Sequence, residues 1–256
     1  MFKVLWLAIK DLFDELFVLM GVNIVWILIN LPLFGLTFIF ANPDTLFLAS
    51  ITLLLSILTL GPTNAGLYIV AERVTEGRKI GVGTFFEGLR SHVRLSWQVY
   101  GTWMFGLLLI LVNLQFYAGM GNVLGAFLLV LFLYILLIWF GILIYIGPLM
   151  IIQVDKRLRM IARNALLMTL GRPLFTIGTL IVMGLISVVS FIVGILVLLV
   201  TFSFFALWGF HATNKLIKDA EDRRAKMEEK TQQKATAAGN PYSTEKGRGG
   251  QIRPRD

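Results

Sequence analysis

Few side chains in this sequence could do chemistry, and their placement says which kind. There is no cysteine, which excludes disulfides, thiolate metal sites and cysteine nucleophiles. The two histidines, His92 and His211, stand far apart in the chain. No carboxylate pair, histidine motif or Ser/His/Asp set falls inside an apolar stretch, so the sequence reads as a non-enzyme without cofactor or metal. The polar groups that do interrupt apolar stretches are amides and hydroxyls beside helix breakers. They are Asn23, Asn30 ahead of Leu31-Pro32, the run Gly61-Pro62-Thr63-Asn64, and a second Gly-Pro pair at Gly147-Pro148. A proline within a helix lacks its N–H and clashes with the carbonyl four residues earlier. Pro62 therefore frees the Leu58 carbonyl, and Thr63 and Asn64 are placed to repair it. The sharper alternative is a helix break that lines a polar cavity, as in carriers with discontinuous helices.

The elements that must position these groups are membrane spans. Hydrophobic residues make up 57% of the 256-residue chain and charged residues only 15%, well away from a soluble domain. Apolar blocks run over 17–40, 46–72, 96–118, 123–153 and 174–210. A span takes about 20 residues, and the last block as one helix would measure about 55 Å. Two short spans with a tight turn near Ser187–Gly194 fit its length better. Short outer turns are expected at Asn42-Pro43-Asp44 and Met120-Gly121-Asn122.

Charge supports the same count. The 23 Lys and Arg cluster near the N-terminus, in 73–94, in 156–172, and from Lys215 onward, with Glu72 and Asp155 at the edges of these stretches and Asp44 the one acidic residue placed away from them. Cytoplasmic segments collect such cations, so all four stretches belong inside, with both termini. The net charge of +8 is thus a topology signal and an attraction for anionic lipid headgroups, not a claim on nucleic acid. Apart from Glu72 at the inner end of the second, no spanning block contains a charged residue, which argues against a proton- or ion-coupled carrier.

Shorter amphipathic segments precede the outward spans. Residues 1–16 place Phe2, Leu5, Ile9, Leu12 and Leu16 on one stripe, expected to lie on the inner surface or cap the bundle. Residues 84–95 do the same with Phe86, Leu89 and Val93, and 157–171 with Leu158, Ile161, Ala165 and Met168. Phe85, Phe86, Arg90, Arg94, Arg159 and Arg163 are the expected contacts at the inner surface, the membrane itself being the partner. The chain reads as three parallel units of amphipathic helix, outward span and inward span. The fold expected is all-α: a polytopic bundle of six helices over 17–211, a polar helical extension at 212–230, and a basic tail of disordered composition at 231–256. Trp97 and Trp208 fall near inner ends, where indoles anchor at the interface, and Tyr68 is read the same way.

Gly61-Pro62-Thr63-Asn64-Ala65-Gly66-Leu67-Tyr68, then Glu76-Gly77-Arg78, then Thr84-Phe85-Phe86-Glu87-Gly88 resemble the YesL family of bacterial integral membrane proteins. The likeness covers roughly residues 5–215 in layout and 61–95 as motif. It implies a role linked to carbohydrate uptake, with the permease of a carbohydrate ABC importer as partner, and carries no catalytic residue. No coupling loop to an ATPase is evident in Arg163–Pro173, and there is no P-loop, so an accessory fits better than the permease itself. The alternative is an assembly protein that holds partners or shapes the bilayer. Depth places Asn23 and Asn64 about 9 and 12 Å from the inner ends of adjacent antiparallel helices. An amide–amide contact between them is therefore expected, with Asn30 on the face of Asn23.

Overall fold

Lipid offers no partner to a backbone N–H or C=O, so a chain this apolar must satisfy its backbone within helices. In a computed structural model, which describes residues 2–238, every regular element is helical. The order is α1 (Phe2–Asp14), α2 (Leu16–Ile39), a 3-10 turn (Pro43–Thr45), α3 (Leu46–Leu55), α4 (Ile57–Thr75), α5 (Val82–Ser91), α6 (Val93–Ala118) and α7 (Val123–Ile152). It continues with α8 (Leu158–Gly171), α9 (Pro173–Val193), a π-helical segment (Val197–Thr201) and α10 (Phe202–Ala238). Six stretches are long and apolar enough to cross a membrane; the second combines α3 with α4, and the sixth the π segment with α10. The all-α polytopic architecture is thus as expected.

The turns between spans have local causes. Asn42 Oδ1 accepts from Thr45 N and Asn122 Oδ1 from Gly125 N at 2.7 Å, each capping the helix that follows. The last apolar block divides at Gly194, whose φ of +64° is a left-handed conformation that stops α9. Two compact units meet at Asn214/Lys215. Of the second, the described part is helical through Ala238, so 231–238, expected as tail, is helix; the remainder of that tail lies outside the described residues.

The three expected units appear as an element order, and their joints are alike. A single residue separates α1 from α2, α5 from α6, and α8 from α9. Glu15 has φ −119° and ψ 28°, and His92 has φ −120° and ψ 17°. Arg172 is more open, with φ −140° and ψ 68°, because it precedes Pro173, whose ring excludes the helical region for its neighbour.

The amphipathic helices follow expectation in one case and depart in two. In α8, Ile161 and Ala165 are buried while Arg159 and Arg163 are exposed. In α5 the buried residues are Thr84, Phe85 and Gly88, and Phe86 faces outward. In α1 the inward stripe is Val4, Ala8 and Leu12, whereas Phe2, Trp6 and Phe13 form an exposed aromatic face. Both rotations have one reason. Lipid tails are as apolar as phenylalanine, so turning a ring inward gains little, and small residues that let backbones approach decide the face. A Cβ on Gly88 would stand 3.0 Å from Gly66 Cα and 2.8 Å from Ile69, so α5 crosses α4 glycine on glycine. One face of α1 is also fixed by a hydrogen bond between His211 Nε2 and Asp11 Oδ2 at 2.7 Å.

The bundle interior uses the same device. A Cβ on Gly106 would meet the Trp139 ring at 2.2 Å. Beside it, Trp103 Nε1 donates to the Trp139 carbonyl and Trp139 Nε1 to the Trp103 carbonyl, both at 3.0 Å, which locks α6 to α7. Tyr145 and Thr176 share a 2.8 Å hydrogen bond that ties α7 to α9.

Candidate functional site

The helices do not break at the Gly-Pro pairs. α4 runs through Pro62, α7 through Pro148 and α2 through Pro32. In the second span the helical ladder lapses earlier, at Ser56, where the hydroxyl bonds back to the Leu53 carbonyl at 2.6 Å and competes with the backbone. Nor is the Leu58 carbonyl repaired by Thr63 or Asn64. Trp97 Nε1 donates to it at 3.1 Å from the first turns of α6. Gly61 makes that reach feasible, since a Cβ there would lie 3.1 Å from the Ser96 backbone. At the second pair, the carbonyl freed by Pro148 is that of Ile144. It faces Gly209, where an added Cβ would stand 3.1 Å away.

The Tyr68 ring packs on Gly147, so that a Cβ at Gly147 would fall 2.0 Å from it. The two Gly-Pro stretches are therefore in contact through Tyr68, which lies in the bundle and not at an interface. Trp208 is likewise fully buried, and Trp97 is a hydrogen-bond donor to a neighbouring helix as well as a partly exposed indole.

The three asparagines are all engaged between helices, but the expected Asn23–Asn64 contact does not form. Asn23, fully buried, inserts into the π segment. Its Nδ2 donates to the carbonyls of Val197 at 2.8 Å and Leu198 at 2.7 Å. Its Oδ1 accepts from Phe202 N at 2.9 Å and Ser203 N at 3.1 Å. Asn30 donates to Thr63 Oγ1 at 3.0 Å and to the Trp26 carbonyl at 2.8 Å. Asn64 Oδ1 accepts from Trp26 Nε1 at 3.1 Å. Asn23 and Asn30 do share a face, but two helical turns separate them by about 10 Å, and each turn meets a different helix. Equal depth placed Asn23 beside Asn64; the sixth span intervenes.

Around Asn64 a half-open cavity of about 360 Å³ lies between α2, α4, α6, α7 and α10. Its lining is aromatic: Trp26, Phe34, Tyr68, Tyr100, Trp103, Phe202 and Phe205, with Leu60, Leu67, Leu143 and Ala206 completing the wall. Trp26 stacks on Phe202 with ring centroids 4.0 Å apart, joining the Asn64 bond to the exit of the π segment. The hydroxyls of Tyr68 and Tyr100 are neighbours. Trp26, Asn64 and Trp103 each lie roughly ten residues from the basic end of their helix, about 15 Å, or half the thickness of a hydrocarbon core. No charged side chain lines the cavity. Among the described residues no group of His, Asp and Glu could hold a metal ion. Rings, one amide and two phenols can bind and orient an uncharged molecule.

Sequence reasoning singled out Asn64 but not the aromatic shell. Trp26, one helical turn from both Asn23 and Asn30, was the available signal. Phe85 is sealed between α4 and α5, while Phe86, Arg90 and Arg94 are exposed with Arg159 and Arg163.

Six apolar spans packed this way make the chain a multi-pass α-helical integral membrane protein. No family model, curated protein or solved structure matches it.

Proposed function

We propose that this protein binds rather than converts its ligand, as an accessory or component of carbohydrate uptake in the bacterial cytoplasmic membrane. The observation that carries the reading is the ring-lined cavity around Asn64 at mid-depth. A sugar ring presents apolar C–H faces that stack on aromatic rings, and hydroxyls that an amide or phenol can meet. The resemblance to the YesL family supports the same solute class and names an importer permease as the partner. The uncharged spans agree with a role that does not couple to protons or ions. Both termini belong inside, by the distribution of Lys and Arg.

Capture of the tagged full chain from solubilised membranes tests this reading. A sugar-permease pair should copurify, and Asn64→Leu should lower sugar uptake without lowering the amount of protein in the membrane. Copurification with unrelated complexes alone would overturn the proposal. It would favour an assembly role, for which the exposed aromatic face of α1 (Phe2, Trp6, Phe13) provides a surface. A reporter fused after Lys218 should read cytoplasmic; an external readout would refute the orientation.

A further inference from the structure

A second concavity, of about 560 Å³, opens where the α5–α6 joint meets the loop between α7 and α8. Leu95 and Leu158 form the apolar part of its lining. Its wall carries Ser91, His92, Arg94, Gln98, Lys156 and Arg157. Three of these are cations, and they come from two different basic stretches of the sequence.

Lys156 is tied down by the chain itself, whereas Arg157 is largely exposed. Lys156 Nζ donates to the carbonyls of Met150 at 2.9 Å and Ile151, which satisfies the open end of α7 and leaves one ammonium proton unassigned. Ser91 Oγ lies 2.8 Å from His92 Nδ1 and donates its own proton to the Gly88 carbonyl at 3.2 Å, which ties the imidazole to the end of α5. Among the described residues Arg94 forms no ion pair, while Arg157 is bound by Asp155 at 3.1 Å. Glu72, the carboxylate that acts on Lys156, is itself engaged by Arg78 at 3.5 Å. The cleft therefore keeps an excess of positive charge. Burial lowers Lys156 below its ordinary value, partly opposed by Glu72. His92 is lowered by burial first and then by the Lys156 charge. An anion in the cleft would relieve this repulsion.

We propose that this cleft is a binding site for a phosphate group, held by Arg94, Lys156 and Arg157 with a hydrogen bond from Gln98. Several N–H donors converging from separate elements suit the oxygens of a phosphate, and an arginine can meet two of them at once. The phosphate can belong to an anionic lipid headgroup or to a soluble phosphate ester. Arg73, Arg78, Arg90, Arg159, Arg163 and Arg172, the other arginines of these basic stretches, do not line the cleft. It is this set, not the total charge, that confers the site. The inference is independent of the sugar reading of the aromatic cavity.

The test uses the purified full chain in phosphatidylcholine nanodiscs. Dioctanoyl phosphatidylglycerol, glycerol 3-phosphate and dioctanoyl phosphatidylcholine are titrated calorimetrically against wild type, Arg94→Gln/Lys156→Gln and the control Arg90→Gln/Arg163→Gln. Loss of one charge-assisted contact weakens binding by roughly tenfold or more. The cleft pair should therefore bind at least about tenfold more weakly, and the control should bind within about twofold of wild type. Saturation by phosphatidylglycerol alone assigns a lipid headgroup; saturation by glycerol 3-phosphate as well assigns a soluble ester. Both support the site. Equal weakening in the two double variants would show diffuse attraction, and binding of neither phosphate compound would remove the site; either overturns the proposal. Because Lys156 also closes α7, Arg94→Gln alone is measured beside the pair, with its thermal unfolding as the check on folding.

Discussion

The second and sixth spans both give up some of their own backbone hydrogen bonds, and each is repaired from another helix, but by different chemistry. Pro62 removes a donor, so one carbonyl, that of Leu58, is left without its usual partner. A single N–H suffices, and the Trp97 indole provides it. The π segment at Val197–Thr201 leaves carbonyls and N–H groups open on adjacent turns. Only a side chain that both donates and accepts can fill that gap, and the Asn23 amide does so with four hydrogen bonds. The comparison shows that the residue type of a repair follows from which half of the hydrogen bond is missing. It also explains why the third unit manages without a Gly-Pro pair: its inward helix is opened by a side chain inserted into the ladder rather than by a proline.

This comparison can be broken in several places. The largest effect is expected at Asn23. Asn23→Leu leaves two carbonyls and two N–H groups unpaired in an apolar setting, and should lower stability by about 2–4 kcal/mol. Thermal unfolding in detergent would measure it; an unchanged midpoint would mean that the π segment does not depend on the amide. Gly147→Ala drives a methyl into the Tyr68 ring and should cost about 1–3 kcal/mol. Tyr68→Leu in the same chain should recover part of the loss, and absence of coupling in that double-mutant cycle would deny the contact between the two Gly-Pro stretches.

Smaller effects test the other half. Trp97→Phe removes the donor to Leu58 and should cost about 1 kcal/mol. The same substitution should cost appreciably less in a Pro62→Ala background, where the backbone regains its N–H. Equal losses in both backgrounds would separate the indole from the proline. The smallest concerns the joint of α1: Asp11→Asn weakens the pair with His211, which is partly open to solvent, by about 0.5–1 kcal/mol. It should show as faster hydrogen exchange in α1 with little change elsewhere.

Much of the architecture was legible because it follows from period and charge. Apolar blocks of spanning length, the outer turns at Asn42 and Asn122, and the split of 174–210 near Gly194 are local matters, fixed by residues that are neighbours in the chain. The α8 stripe was legible for the same reason. The faces of α1 and α5 were not, since hydrophobic size ranks rings above small residues whereas packing in lipid rewards close backbones, as at Gly66 and Gly88. The candidate site was half legible. Asn64 stood out against its apolar surroundings, but Trp26, Tyr100 and Trp103 look like ordinary span residues until five helices bring them together.

By itself the sequence determined that this chain enters a membrane, how many times it can cross, and that no charged group acts at depth, because those depend on composition along the chain. The tertiary structure alone decided that Asn23 meets α10 and not Asn64, that Trp97 repairs the turn opened by Pro62, and that His92, Arg94, Lys156 and Arg157 share one cleft. A hydrogen-bonding partner or a phosphate site requires groups distant in sequence to converge within a few ångströms, and that convergence is set by which helices pack together.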